Sequence, residues 1–319
     1  MQREALIQRL SENSGFDLAV IGGGATGLGV ALEASLRGFK VILLESHDFA
    51  KGTSSRATKL VHGGVRYLAQ GNIGLVREAL SERTTLLKNA PHLTDALPFV
   101  MPSYQWWETP FYGVGLKAYD TLAGRASLGP TELLGKRETL QLLPTARSDG
   151  LYGGVKYWDG QFDDARLALA LARSSAKLGA LVLNYCPVVD LISDGDKLVG
   201  IECLDSETGR RYKVRAKCVV NATGVWVDGI RQMEVFSKNG ALSHMVSPSQ
   251  GVHLVVDRKF LATDHALMIP KTADGRVLFA VPWLGKTLLG TTDTPRADLV
   301  QEPRPFQSEV DLILNESAR

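Results

Sequence analysis

Gly22, Gly24 and Gly27 stand as G-x-G-x-x-G directly after an apolar run, and Glu45 closes the next apolar run. Each glycine has a mechanical use: a tight turn, close backbone approach to a pyrophosphate, and helix-to-strand packing. The phosphate would sit at a helix N-terminus, where unpaired N–H groups and the helix dipole favour an anion. Glu45 would accept ribose hydroxyls and repel a 2′-phosphate. Glycines alone could form a structural loop. With strand, glycines, helix, strand and terminal acid in register, the pattern points to an adenine dinucleotide. Thr53, Ser54 and Ser55 add hydroxyl and backbone donors in a polar, glycine-bearing stretch. A surface loop could have that composition, and an NAD domain has no need of it. An FAD domain would use it for a second approach to the cofactor.

The elements that must position these residues follow from periodicity. FDLAVI at 16–21, a helix-like stretch ending near Gly38 and KVILLE at 40–45 read as β-α-β. From Ile73 the positions Val76, Leu80 and Leu87 keep helical spacing, with Arg77, Glu78, Glu82 and Arg83 on a solvated face. Residues 97–130 turn aromatic and rich in Gly and Pro, as in a cap. Trp106, Trp107, Phe111 and Tyr112 are read as packing inside it, with a membrane interface as the competing account. Asp163 and Asp164 open a helix with Leu167, Leu171 and Leu178 on one face and Gly179 as its stop, before the strand LVLNY. Paired strands are predicted at 198–204 and 211–216, and CVVNATG at 218–224 reads as a separate buried strand meeting a glycine turn. The remainder, from 236, is strand-rich, and no internal repeat is seen.

The chain has 319 residues, with Lys plus Arg 36 and Asp plus Glu 34, a balance of +2 that excludes a dedicated nucleic-acid binder. A hydrophobic fraction of 45% with 22% charged residues predicts a compact fold of about two domains. Cys186, Cys203 and Cys218 lack metal-ligand or disulfide-framework spacing, which points to a reducing compartment. No apolar run is long enough to span a membrane, and the first residues do not resemble a signal peptide. The chain is therefore placed in the cytoplasm or at the inner face of a membrane.

More specific motifs are TSSRATKLVHGGVRYL at 53–68, VREALSER, DGQFDDARL at 159–167, NATGVWVD at 221–228, GVHLVV at 251–256 and VPWLGKTLLGTTDTP at 281–295. Together they resemble the FAD-dependent glycerol-3-phosphate dehydrogenases, in the D-amino-acid-oxidase-like group of flavoproteins, from about residue 15 to about residue 310. The resemblance implies an α/β fold: a Rossmann-like FAD-binding domain of the D-amino-acid-oxidase/glutathione-reductase type with an interleaved β-rich substrate or cap domain. The corresponding division is 16–96 and 159–235 for the FAD-binding domain, 97–158 for the cap, and 236–319 for substrate-domain strands.

The implied reaction moves a hydride from C2 of sn-glycerol 3-phosphate to flavin N5, giving dihydroxyacetone phosphate, with electrons passed to quinone. By the resemblance, Arg66 is an anion clamp and Tyr67 a hydrogen-bond partner for the substrate; the competing account of Arg66, which follows two glycines, is a surface ion pair. His253 becomes the general base, although a His within VHLVV otherwise reads as a satisfied strand residue. His62 is the competing base and is expected to contact the flavin. Lys59 and Leu60 are expected along the cofactor, with Ala222, Thr223 and Gly224 as a third backbone approach. Val188 would hold the adenine through its backbone or serve as a plain core valine. Peripheral membrane contact and a homodimer stay open.

The resemblance also implies a GVRPL-like segment and a GGKxTTYR-like segment, and neither occurs here. SEVDLILNESAR reads as a helix without a glycine or proline stop. On this reading the sequence is a fragment, with weak cofactor binding and poor turnover expected. Two alternatives stand beside it: another oxidase of the same flavoprotein group, and a catalytically silent nucleotide-binding remnant.

Overall fold

Helix α1 (Arg3–Glu12) precedes strand β1 (Phe16–Ile21), α2 (Ala25–Leu36) and β2 (Val41–Leu44). After β3 (Leu60–Val61) come α3 (Ile73–Asn89), β4 (Thr94–Ser103), α4 (Glu108–Ala123), β5 (Glu132–Gly135), α5 (Lys136–Leu142) and β6 (Gly153–Phe162). Helix α6 (Asp164–Lys177) leads to β7 (Leu181–Leu183), β8 (Val188–Asp194), β9 (Lys197–Leu204), β10 (Arg211–Asn221) and α7 (Val227–Phe236). The last stretch holds β11 (Ser249–Gln250), β12 (His253–Asp257), β13 (Ala266–Ile269), β14 (Leu278–Trp283), β15 (Lys286–Gly290), β16 (Thr294–Pro295) and α8 (Gln307–Ala318). These elements come from a computed structural model that describes residues 2–12, 15–64, 71–236 and 243–318, without the side chains of 125 and 234–236. Two compact units emerge: Met1–Ala57, Asp164–Pro248 and Arg296–Gln301 form the first, and Thr58–Asp163, Ser249–Pro295 and Glu302–Arg319 the second.

The first unit is built on a six-stranded sheet in the order β7-β2-β1-β10-β9-β8. Strands β7, β2, β1 and the end of β10 run parallel, with Leu18 opposite Val41 and Ile21 opposite Asn221. Side-chain alternation buries both faces, as a parallel sheet requires. Ala19, Ile21, Ile42, Leu44, Leu181 and Leu183 pack on one side with Leu6 and Leu10 of α1. Val20, Val41, Leu43 and Val182 pack on the other with α2 and α6.

The sequence reading of this unit needs three corrections. The buried stripe of α6 is Ala168, Ala172 and Ser175, whereas Leu178 is exposed. Ala31 and Ala34 of α2 belong to the same cluster as Ala168 and Ala172, and such small side chains let two helices approach closely. The predicted strands at 211–216 and 218–224 are one strand, which pairs antiparallel with β9 and then parallel with β1. Cys218 on that strand is exposed rather than buried, because it lies where β10 changes partners.

The second unit has an eight-stranded sheet ordered β12-β15-β14-β13-β4-β6-β3, with β5 also on β6. All its pairings are antiparallel except β4 with β13. Leu97, Phe99 and Met101 enter one core cluster, while Val100 enters the other with Leu143 and Ile313. The unit begins at Thr58 and ends its first run at Asp163, unlike the sequence boundaries at 96 and 158. The physical reason is pairing: β3 adds to the edge of β6, and α3 packs on α4 through Val76, Leu80 and Tyr119.

Arg83 also departs from expectation. It is 1% exposed rather than solvated, because its guanidinium pairs with buried Asp159. The aromatic segment diverges as well. Tyr112 packs against the core and Tyr119 is buried, but Trp106 and Phe111 are 73% and 64% exposed, and Trp107 is also exposed. Trp106 and Trp107 immediately precede α4, and Phe111 lies in its first turn.

Candidate functional site

Strands β1, β2 and β10 end together in the first unit, and the cavity beyond their C-terminal ends has a volume of about 890 Å³. Parallel α/β sheets bind ligands at this end. Its walls include Gly22, Gly24, Glu45, Thr53 and Ser54, together with Val188, Ala222, Thr223 and Gly224. Most of the sequence-predicted cofactor residues therefore meet at one place. Gly27 does not line it, and its role is packing: a Cβ there would overlap the Gly22 carbonyl oxygen. Gly22 has φ +108°, and a Cβ would come 2.5 Å from Ala222 O, so only glycine fits where β1 passes β10.

Local hydrogen bonds shape the cradle. Glu45 Oε2 accepts from Gly23 N at 2.6 Å, and Oε1 accepts from His47 N at 2.8 Å. Ser54 Oγ accepts from Ala25 N at 2.9 Å, so the short helical turn Thr53–Ser55 sits against the first turn of α2. Ala222 N donates to Ile21 O at 2.8 Å, which brings the third segment alongside. Thr223 is held by Asn221, whose side-chain NH2 donates to Val227 O at 2.9 Å. Ser55 does not line the cavity.

The residues fit an adenine dinucleotide. A helix N-terminus faces the cavity, Gly22 and Gly24 line it, and a carboxylate stands at the end of β2. Ile21, Leu44, Ile230 and Met233 supply an apolar wall, and the volume lies within the usual range for cofactor pockets. Sequence reasoning missed Lys51, His47, Trp226 and Gln301, which also line it. His47 and Lys51 were findable from their place beside Glu45 and the serine turn, whereas Gln301 comes from a distant return of the chain.

Lys59, Leu60, His62 and His253 all belong to the second unit. His253 is half-buried on β12, opposite Gly290, and its Nε2 lies 2.9 Å from Thr58 Oγ1. A Cβ at Gly290 would come 2.6 Å from the His253 ring, so this glycine leaves space for the imidazole. Lys59 has φ +63°, and its ammonium lies 5.9 Å from the Trp283 ring centroid. Leu60 packs against the sheet core. His62 is exposed, and its Nδ1 accepts from Gly64 N at 3.0 Å. Arg66 and Tyr67 lie outside the described residues.

With that geometry in place, comparison with known proteins defines the class. The profile of the family described as "FAD dependent oxidoreductase" matches residues 17–319, and the chain belongs to that family. FAD is the cofactor that the family shares. Within the family, the chain is 44% identical to the mitochondrial glycerol-3-phosphate dehydrogenase of Rattus norvegicus over 98% of its own length and 44% of that protein's. It is 41% identical to the protein of the same name from Schizosaccharomyces pombe, over 98% of the chain and 50% of the relative. The crystal structure of glycerol-3-phosphate dehydrogenase from Bacillus halodurans complexed with FAD superposes with a TM-score of 0.79 at 36% identity, covering 99% of this chain and 54% of that one. The chain thus spans about half the length of the curated relatives it matches. Glycine oxidase from Geobacillus kaustophilus, at 23% identity and TM-score 0.65, shares the fold.

Proposed function

We propose that the protein belongs to an enzyme that oxidises sn-glycerol 3-phosphate to dihydroxyacetone phosphate, using FAD held at the glycine cavity. The observation that carries this reading is 44% identity to a glycerol-3-phosphate dehydrogenase along 98% of the chain. The bound cofactor supplies two-electron oxidation of the C2 carbinol. The Gly22–Gly24 turn and the N-terminal end of α2 face the pyrophosphate, with Ala25 N already donating to Ser54 Oγ, and Glu45 meets the ribose hydroxyls. His253 takes the hydroxyl proton at Nε2. The single Nε2 lone pair cannot serve the substrate hydroxyl and the Thr58 hydroxyl at once, so Thr58 yields that position while the proton moves and afterwards accepts from the new N–H. Arg66 clamps the phosphate dianion and Tyr67 hydrogen-bonds the substrate, as the family resemblance implies.

Electrons then leave to quinone, which places the working enzyme at a membrane surface. No helix among the described residues is long and apolar enough to cross a membrane. Exposed Phe111 and Val114 of α4, with exposed Trp106 just before that helix, offer an interfacial face. Flotation with anionic liposomes tests this: the Trp106→Ala, Phe111→Ala double variant is expected to stay with the soluble fraction, and unchanged flotation removes that face from the reading.

The test of the reaction is an anaerobic visible spectrum of the chain loaded with FAD and desalted, before and after glycerol 3-phosphate. A retained flavin band that bleaches supports the proposal. Bleaching by glycine or sarcosine, with none by glycerol 3-phosphate, replaces it with an amine oxidase.

A further inference from the structure

Asp159 opens the DGQFDDARL motif, and neither the cavity nor His253 accounts for it. Its carboxylate is buried on β6 and gathers donors from three other segments. Oδ1 accepts from Arg83 Nη1 of α3 at 2.8 Å, from the neighbouring Gly160 N at 3.0 Å and from Gly63 N at 3.3 Å. Oδ2 accepts from the Tyr119 hydroxyl of α4 at 3.0 Å. Arg83 also donates to Ala126 O at 2.8 Å. Burial, reinforced by the Asp159 charge, raises the Tyr119 pKa, so the phenol stays a donor.

A buried ion pair is a poor source of stability, since apolar residues of similar volume often replace one without loss. Its distinctive contribution is direction. Here the directed bonds converge on Asp159, and one of them, from Gly63 N, ties it to the His62-Gly63-Gly64 turn. A Cβ at Gly63 would overlap both the Tyr119 hydroxyl and the Leu80 side chain, so the turn lies pressed against α3 and α4. Its next amide, Gly64 N, donates to His62 Nδ1, and Gly64 is left-handed at φ +73°. That bond requires the Nδ1 lone pair, which puts the proton of the neutral ring on Nε2.

We propose that Asp159 is a positioning residue: with Arg83 and Tyr119 it clamps the Gly63 backbone, and thereby fixes the orientation and tautomer of His62 for the oxidation described above. The proposal rests on that reading for its catalytic consequence, but not for its effect on His62. Sequence could not reveal it, because the partners are 40, 76 and 96 residues from Asp159.

Two variants test it. Tyr119→Phe removes one hydrogen bond. Arg83→Met combined with Asp159→Leu exchanges the ion pair for apolar groups that fill the site. Each is measured for thermal midpoint, FAD content, anaerobic flavin reduction by glycerol 3-phosphate, and His62 tautomer by long-range proton–nitrogen NMR. The expected result for the double variant is a near-parental midpoint and FAD content, with the limiting reduction rate lowered about tenfold or more and mixed His62 tautomers. Recovery of both the reduction rate and the single tautomer overturns the proposal. If the double variant does not fold, Tyr119→Phe decides: a slower rate with a relaxed tautomer supports the clamp, and parental values for both refute it. If the parent itself is not reduced by glycerol 3-phosphate, the functional reading fails, and the His62 tautomer alone decides the proposal.

Discussion

The Gly23 amide donates to Glu45 Oε2 across 2.6 Å, tying the middle of the glycine turn to the end of the adjacent strand. With His47 N on its other oxygen at 2.8 Å, the carboxylate is already aimed. A carboxylate has about four lone-pair sites, so capacity for a ribose hydroxyl remains after both amides and the Ser46 hydroxyl, 3.1 Å from Oε1, are served. Such preorganisation lowers the ordering cost of binding a long, flexible cofactor.

Replacing Glu45 by Ala removes this anchor and the ribose acceptor together. Hydrogen bonds to a charged group contribute about 1.5–3 kcal/mol, so FAD affinity should fall by roughly one to two decades. Glu45→Gln keeps one acceptor oxygen and should fall between the parent and Ala. Titration by quenching of flavin fluorescence reads both, and an unchanged affinity in the Ala variant would remove Glu45 from the cofactor site.

Gly27 and Gly29 sit two positions apart in α2 and should respond in opposite directions. A Cβ at Gly27 meets the Gly22 carbonyl, whereas one at Gly29 meets nothing within 4 Å. Gly29→Ala should therefore stabilise the protein by up to about 1 kcal/mol through helix propensity. Gly27→Ala should destabilise it by more than that and empty the cavity of FAD, because the obstacle is backbone that cannot move without opening the turn. Urea unfolding midpoints with flavin content distinguish the two.

The same contrast explains what the sequence could disclose. The glycine turn was legible because each glycine answers a local demand of the backbone, and the β-α-β frame was legible because FDLAVI and KVILLE have strand composition in register with it. Leu178 misled because a leucine at helical spacing looks like core, whereas the actual contact between α2 and α6 runs through alanines. The unity of β10 was hidden because its first half pairs with β9 and its second with β1, a change of partner that composition does not mark. Arg83 looked solvated because its counter-ion is remote in sequence. Thr58 was passed over for its neighbours Ser54 and Lys59, although it is the one that reaches His253.

Acid stability should report on Asp228. Arg231 beside it, at 2.6 Å, with the amides of Val246 and Met245, holds its carboxyl at about 2, below the ordinary 3.8. The folded state thus favours the ionised form, so the contribution to stability is complete above pH 3.8 and disappears as pH falls toward 2. Asp228→Asn should lower the thermal midpoint by a constant amount from about pH 7 to about pH 5, and the gap to the parent should close below about pH 4. A gap that widens on acidification would show that the carboxylate is not stabilised in the folded protein.

His253 and Thr58 provide the sharpest test of the chemistry. If the imidazole is the base, His253→Gln should slow glycerol 3-phosphate-dependent flavin reduction by about 10²–10⁴-fold, the usual worth of a positioned general base. FAD content should stay near parental, because His253 does not line the glycine cavity. Thr58→Val keeps the base and removes only the 2.9 Å bond to Nε2, so its loss should be smaller, about tenfold. The order of the two effects is the discriminating outcome. A His253→Gln rate equal to the parent, with His62→Gln inactive, would transfer the proton to His62. Equal losses in the Thr58 and His253 variants would instead mean that the pair works only as a unit, with the hydroxyl as necessary to proton transfer as the ring.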